Sequence, residues 1–139
     1  MTAERFIDTN VLVYAYDSGE PVKQARAQKI LVEGLRDETT ALSAQVLGEF
    51  FVVVTRCIQN PMTAADARQV ISALSRMPVQ DIDRLLVADA IDIHQAAGIS
   101  YWDALIIAAA RRIGCGSVLT EDLNHGQTIE GIRIENPFL

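Results

Sequence analysis

Three acidic residues interrupt stretches of the sequence that are otherwise largely apolar, where ionised side chains are least expected. Asp8 lies in the stretch 5–13, Glu49 in 46–54 and Asp103 in 101–108. A buried carboxylate without a partner costs free energy, so it normally takes up a proton, finds a partner group or binds a metal ion. Three such acids in three apolar stretches therefore predict one shared site.

A fourth acid, Asp122, follows a strand-like run at residues 117–120. Carboxylates gathered in one pocket repel one another and raise each other's pKa values, and a divalent cation removes that repulsion. Oxygen ligands of this kind match Mg²⁺ or Mn²⁺. A metal ion held in this way can orient a phosphodiester and lower the pKa of a bound water molecule. We therefore predict a metal-dependent phosphodiesterase whose catalytic and metal-binding residues are Asp8, Glu49, Asp103 and Asp122.

Three neutral side chains flank these acids and could support them. Asn10 lies two residues past Asp8 and offers a hydrogen-bond partner. Thr120 lies two residues before Asp122 and offers a hydroxyl group near the metal ion or its water. Thr9 or Asn10 could equally cap a helix that starts after Asp8. We therefore keep both a supporting and a capping role open for them.

Strand-like and helix-like segments alternate along the chain and must position these side chains. The apolar patterns predict strands at residues 6–8, 39–42, 78–81, 117–120 and 132–134. They predict helices at residues 11–16, 21–36, 44–58, 63–76, 82–97 and 101–112. Ser43 and Ser100 are expected to begin two of these helices, and Gly98 to end a third. Such alternation favours an α/β fold with a mainly parallel sheet between helices.

Open parallel sheets bind ligands at the carboxyl ends of their strands. Asp8 ends the first predicted strand, and Asp122 lies just beyond the strand at 117–120. Glu49 and Asp103 lie on helices in which positions three or four residues away are apolar, so we expect both side chains to point inward. The fold is thus expected to deliver the four acids to one end of the sheet.

The size and charge of the chain narrow the possible functions. Its 139 residues fit one domain spanning 1–139, and half of them are apolar, which allows a sizeable core. The net charge of −6 argues against broad binding of nucleic acid through a basic surface, but not against a nucleic-acid enzyme. Apolar runs are shorter than the roughly 20 residues that span a bilayer, and no secretory signal pattern is present. We therefore expect a cytoplasmic protein without membrane attachment, in which Cys57 and Cys115 are buried and reduced.

Four short motifs give the chain a resemblance to a known family. Residues 6–12 around Asp8, 48–50 around Glu49, 101–106 around Asp103 and 119–123 around Asp122 follow the order found in PIN-domain ribonucleases. The spacing also resembles that of VapC toxins from bacterial toxin–antitoxin pairs, over nearly the whole chain. The resemblance implies a three-layer α/β/α sandwich in which these four acids bind Mg²⁺ or Mn²⁺, or support its ligands. Of the adjacent acids Glu121 and Asp122, the family's pattern favours Asp122.

The same resemblance implies an activity and partners. Members of the family hydrolyse RNA with water activated by the metal ion, and leave a 5′-phosphate and a 3′-hydroxyl. They commonly form homodimers and are inhibited by a cognate antitoxin, a small DNA-binding protein that inserts one end near the active site. Apolar residues within 25–35 and 50–54 are in excess for a chain of this size, which suggests exposed surfaces for dimerisation and for the antitoxin.

Two other classes of protein fit the sequence poorly, and a third remains as an alternative. A phosphatase with an aspartyl nucleophile needs a second Asp two residues after the first, where this chain has Asn10. It also needs a Lys late in the chain, as a receiver domain does, whereas the only Lys residues are Lys23 and Lys29. The serious alternative is a PIN-like fold kept as a protein- or RNA-interaction module with little catalysis.

Each candidate residue also has a purely structural interpretation. Asp8 could be a turn residue at the end of a strand, and Asp103 could be favoured by the dipole of its helix. Glu49 could belong to a buried ion pair, and Asp122 could be a solvated loop residue. Trp102 is more often a core or interface residue than a platform for stacked bases.

Overall fold

Six strands and six helices alternate along residues 3–139, the part of the chain that the computed structural model describes. The strands are β1 (Arg5–Ile7), β2 (Thr40–Ser43), β3 (Val79–Gln80), β4 (Ser117–Leu119), β5 (Thr128–Ile129) and β6 (Ile132–Glu135). The helices are α1 (Thr9–Tyr14), α2 (Pro21–Asp37), α3 (Ala44–Arg56), α4 (Ala64–Leu74), α5 (Arg84–Ala97) and α6 (Tyr101–Ile113). The elements follow the predicted order, with β5 as one additional strand.

The strands form one sheet in the order β3-β2-β1-β4-β6-β5. Every neighbouring pair is parallel except β5 with β6, so the predicted α/β fold with a mainly parallel sheet is confirmed. The chain proceeds from β1 towards β2 and β3 on one side, and β4 lies on the other side of β1. The strand order therefore reverses at β1, which is where sheets of this kind open a crevice for ligands.

The additional strand, β5, forms a hairpin with β6. Glu130 and Gly131 join the two strands with φ angles of 50° and 80°. Two residues with positive φ give a turn whose twist matches that of the paired strands. β5 has only two residues, so no alternation of apolar and polar positions marks it in the sequence.

Buried side chains of β1, α3 and α6 form the centre of the core. Phe6 and Ile7 of β1 are fully buried, and α6 buries the continuous run 104–110. On α3 the buried residues are spaced by about one helical turn: Val46, Phe50 and Val54. Burying one large apolar side chain stabilises a protein by about 1.5–3 kcal/mol. This burial holds α3 and α6 firmly, and with them the acids they carry.

Short polar residues begin the helices at the predicted places. The hydroxyl of Ser43 accepts a hydrogen bond from the first turn of α3 at 3.3 Å, and that of Ser100 from the first turn of α6 at 3.1 Å. Gly98 follows the last residue of α5 in the left-handed conformation, with φ 69°. α3 and α4 end two residues earlier than predicted, and α5 begins two residues later. No helix within residues 3–139 combines the length and the apolar character needed to cross a membrane.

The start of α1 differs from the prediction. Asp8, and not Thr9 or Asn10, caps this helix, because its carboxylate accepts a hydrogen bond from the backbone N–H of Thr9 at 2.7 Å. The helix consequently begins at Thr9, two residues earlier than expected.

The two cysteines differ in their surroundings. Cys115 is buried, as expected, and this burial raises the pKa of its thiol to about 11. Cys57 is exposed, so the prediction that it is buried was wrong. It follows the last residue of α3, where the chain leaves the core.

Candidate functional site

An open pocket of about 360 Å³ lies at the carboxyl ends of β1 and β4, where the strand order reverses. Residues of α1, α3 and α6 form much of its wall. All four predicted acids line it: Asp8, Glu49, Asp103 and Asp122. The structure thus brings together the residues that the sequence singled out, while their role in binding a metal ion stays a prediction.

Asp8 lies at the bottom of the pocket and is only 6% exposed. Its two carboxylate oxygens accept hydrogen bonds from the backbone N–H of Thr9 at 2.7 Å and from the hydroxyl of Thr120 at 2.8 Å. Burial raises the pKa of Asp8 to about 6, although both hydrogen bonds oppose the rise. The negative charges of Asp122 and Glu49 raise this pKa further. A nearby cation would reverse these effects and stabilise the charged form.

Glu49 and Asp103 are less buried than the sequence suggested. Glu49 is exposed, and its carboxylate accepts a hydrogen bond from the hydroxyl of Thr9 at 2.8 Å. Asp103 is half-buried at the start of α6. The prediction that both point into the interior was therefore wrong. Glu49 precedes Phe50 and lies off the buried stripe of α3, so its side chain reaches an open pocket and not the core.

Asp122 is exposed and is held by neutral groups. The amide of Asn10 donates hydrogen bonds to the carboxylate of Asp122 at 2.9 Å and to the hydroxyl of Thr120 at 3.3 Å. The same hydroxyl accepts a hydrogen bond from the backbone N–H of Asp122 at 3.1 Å. Because Thr120 also donates to Asp8, one hydroxyl group links the acid after β1 to the acid after β4.

Glu121 does not line this pocket, although it is adjacent to Asp122 in the sequence. Its two carboxylate oxygens accept hydrogen bonds from the hydroxyl of Tyr14 and the ammonium group of Lys23, each at 2.6 Å. Of the two neighbouring acids, the one that the sequence pattern favoured is therefore the one that faces the pocket.

Sequence reasoning missed an acid and an amide of the pocket wall. Asp17 adds a fifth acid, and Gln45 adds an amide. Trp102 lies at the rim with 62% of its surface exposed, so it is not a core residue. The position of Trp102 directly before Asp103 was the available signal for this residue.

The charged residues of the pocket wall are all acidic. Within the described part of the chain, no Lys or Arg lines the pocket. Carboxylate, amide and hydroxyl oxygens are the donors that Mg²⁺ and Mn²⁺ prefer, so the donor set fits such an ion. In residues 3–139 no three acidic, His or Cys groups converge closely enough to surround a metal ion by themselves. This arrangement fits Mg²⁺, which keeps several waters and binds through one or two carboxylates.

Comparison with known proteins gives the same fold. The sequence model of the PIN domain matches residues 5–129 of the chain. No curated protein is similar enough to match it. Among solved structures, a toxin–antitoxin complex from Klebsiella pneumoniae has a chain that is 18% identical, with a TM-score of 0.69 over 96% of this chain and 98% of that chain.

Two other solved structures resemble the chain to a similar degree. VapC20 from Mycobacterium tuberculosis, described as a sarcin–ricin loop cleaving toxin, is 19% identical, with a TM-score of 0.67 over 86% of this chain and 90% of its own. The DNA-bound VapBC of Salmonella typhimurium contains a chain that is 20% identical, with a TM-score of 0.65 over 98% of this chain and 99% of that chain. At these identities the likeness concerns the fold.

Proposed function

The chain belongs to the PIN domain family, and we propose that it is an endoribonuclease that requires Mg²⁺ or Mn²⁺ and acts as the toxin of a type II toxin–antitoxin pair. The observation that carries this proposal is the pocket, which four acids line without a Lys or Arg among the described residues, and in which Asp8, Glu49 and Asp122 accept hydrogen bonds from neutral groups. A divalent cation would balance the charge of these acids. The similarity to a toxin that cleaves the sarcin–ricin loop supports RNA as the substrate.

Asp8, Glu49, Asp103 and Asp122 are the residues that would hold the metal ion. When bound, the ion supplies a Lewis acid that neutralises charge on a phosphodiester and lowers the pKa of water. Asp8 is fixed in direction by Thr9 and Thr120, which occupy one lone pair on each of its oxygens and leave the others available.

The neutral partners of the acids have a distinct part in this proposal. Asn10 aims its amide at Asp122, and Thr9 aims its hydroxyl at Glu49. Each hydrogen bond orients a carboxylate without neutralising it, so the acids keep their full charge for a cation. Partners of this kind typically contribute about 10–100-fold to metal affinity or activity.

Partner binding belongs to the same proposal. On α2 and α3, apolar side chains are exposed at Val22, Val32, Leu35, Phe51 and Val52. A second cavity of about 480 Å³ lies between α2 and α4 and is largely apolar. We expect these surfaces to bind a cognate antitoxin and a second copy of the chain, in the cytoplasm, where the RNA substrate is found. Toxin–antitoxin complexes among the similar structures support this expectation.

Cleavage of total cellular RNA tests the activity. With Mn²⁺ present, the wild-type protein is expected to cut RNA at a small number of sites and leave 5′-phosphates. EDTA and Asp8→Asn should each abolish the cuts. Asp83→Asn is a matched control, because Asp83 pairs with Arg112 away from the pocket. If the folded wild-type protein neither binds Mn²⁺ nor cuts RNA, the interaction module becomes the better account.

A further inference from the structure

A second cluster of polar and aromatic groups lies beside the pocket, and we call it the Glu121 cluster: Tyr14, Lys23, Glu121 and Phe138. Lys23 donates a hydrogen bond to Glu121 at 2.6 Å and another to the hydroxyl of Tyr14 at 3.3 Å. Tyr14 in turn donates to Glu121 at 2.6 Å. Both oxygens of Glu121 and the charge of Lys23 are thus used within the cluster.

Phe138, near the C-terminal end, shields this ion pair from water. Its ring meets the ring of Tyr14 edge-on, with centroids 5.0 Å apart, and lies 5.7 Å from the ammonium nitrogen of Lys23. Arg26 holds the same segment by donating a hydrogen bond to the carbonyl of Pro137 at 3.1 Å. The Lys23 and Glu121 side chains are only 34% and 28% exposed. Taken together, they are less exposed than the two side chains of any other ion pair among the described residues. Shielding from solvent makes such a pair stronger than an ordinary surface pair.

The cluster is connected to the pocket through the loop after β4. Residues 120–124 have neither helical nor strand structure, and side-chain contacts contribute to holding Glu121 and Asp122. Glu121 is anchored by Lys23 and Tyr14, and its backbone N–H donates to the amide oxygen of Asn10 at 3.3 Å. The other end of the same amide donates to Asp122. Fixing Glu121 therefore removes the conformational freedom that would otherwise let the exposed Asp122 turn away from the pocket.

We propose that Glu121, held by Lys23 and Tyr14, is a positioning residue that fixes the carboxylate of Asp122 for metal binding. This inference rests on the proposed function, because it assumes that Asp122 binds the metal ion. Glu121 acts through the loop and does not itself bind the ion. A group acting in this way typically contributes about 10–100-fold to metal affinity.

Titration of the metal-free protein with Mn²⁺ alone tests the inference, together with melting temperatures that show each variant to be folded. Glu121→Ala and Lys23→Met should each weaken Mn²⁺ binding by about 10–100-fold. Asp83→Ala, which breaks the surface ion pair with Arg112, should leave it unchanged. Lys23→Met is the decisive variant. If Glu121 were itself a metal ligand, freeing it from Lys23 would tighten Mn²⁺ binding, and that result would overturn the proposal.

A double-mutant cycle separates positioning from general damage to the fold. If Glu121 acts through Asp122, then Glu121→Ala should weaken Mn²⁺ binding in the wild-type background and have little further effect in Asp122→Asn. An equal loss in both backgrounds would contradict the proposed route. Failure of the wild-type protein to bind Mn²⁺ would be seen before any variant is made, and would overturn the proposed metal site itself.

Discussion

Acids of the pocket and acids of the outer surface have different partners. On the surface, Asp83 pairs with Arg112 at 2.8 Å and Asp37 with Arg36 at 2.9 Å. In the pocket, Asp8 and Glu49 accept hydrogen bonds from hydroxyl and backbone groups that carry no charge. The charge of these two surface acids is thus compensated by an Arg, whereas no Lys or Arg among the described residues lines the pocket that holds Asp8 and Glu49.

Two consecutive residues show this difference most clearly. Glu121 pairs with Lys23 at 2.6 Å, and Asp122 meets the neutral amide of Asn10 at 2.9 Å. Both are carboxylates on the same loop, but their side chains point to different surroundings. The difference suggests that the fold uses the first acid for support and keeps the second available for chemistry.

A positively charged side chain placed in the pocket should remove the difference between the pocket acids and the surface acids. Of the substitutions that we predict, this one should have the largest effect. In Glu49→Lys, the new ammonium group would lie near Asp8, whose pKa the charge of Glu49 now raises. It should take the place of the metal ion, weaken Mn²⁺ binding and RNA cleavage by more than about 100-fold and raise the melting temperature of the metal-free protein. Titration with Mn²⁺ and thermal unfolding in EDTA measure both effects.

Glu49→Gln is the matched control for that variant. It removes the carboxylate without adding a positive charge, so the metal-free protein should gain less stability than with Lys. Wild-type Mn²⁺ affinity in Glu49→Lys would show that the pocket charge is not what binds the ion.

Removing the buried charge should change how stability depends on pH. The pKa of Asp8 is raised from 3.8 to about 6, so the folded protein binds this proton more tightly than the unfolded chain. The resulting stability is fully present below pH 3.8 and is lost as the pH rises through about 6. Asp8→Asn cannot ionise, so it should be more stable than the wild type at pH 8, by up to about 3 kcal/mol.

Urea unfolding in EDTA across this pH range measures the difference between the two proteins. It should shrink towards zero as the pH falls below 3.8, where the wild-type carboxyl group is protonated in both states. The same pH dependence in Asp8→Asn as in the wild type would show that another group is responsible.

Removing a compensated surface charge should have the smallest effect. Asp83→Asn keeps a residue that caps α5 well but loses the ion pair with Arg112, so the melting temperature should fall slightly. The decrease should be smaller at high salt, where the pair is screened. Thermal unfolding at low and high salt tests this, and loss of RNA cleavage in the variant would contradict the separation of the two groups of acids.

The sequence predicted those features that depend on local signals. Ser43 and Ser100 mark helix starts because their hydroxyl groups cap the backbone, and Gly98 marks a helix end because it tolerates positive φ. Alternation of strands with helices predicted the parallel sheet, and this sheet brings residues that follow β1 and β4 to one edge.

Features that depend on distant contacts were not predictable in this way. Glu49 has apolar neighbours on its helix, but whether it points to the core or to an open pocket depends on elements far away in the sequence. Lys23 and Glu121 are 98 residues apart, and neither residue shows by itself that the other is its partner. The sequence therefore identified four acids of the pocket and the neutral side chains that contact them, Thr9, Asn10 and Thr120, but not the pairing of Lys23 with Glu121.

The most direct measurement is a titration of the metal-free protein with Mn²⁺, followed by tryptophan fluorescence. Trp102 is the only tryptophan, and it lies at the rim of the pocket beside Asp103. Because Mn²⁺ is paramagnetic, its binding in the pocket should quench this fluorescence in a saturable way in the wild type and in Asp83→Asn, but not in Asp8→Asn. Saturable quenching that persists in Asp8→Asn, or none in the folded wild type, would contradict the claim that these acids form a metal site.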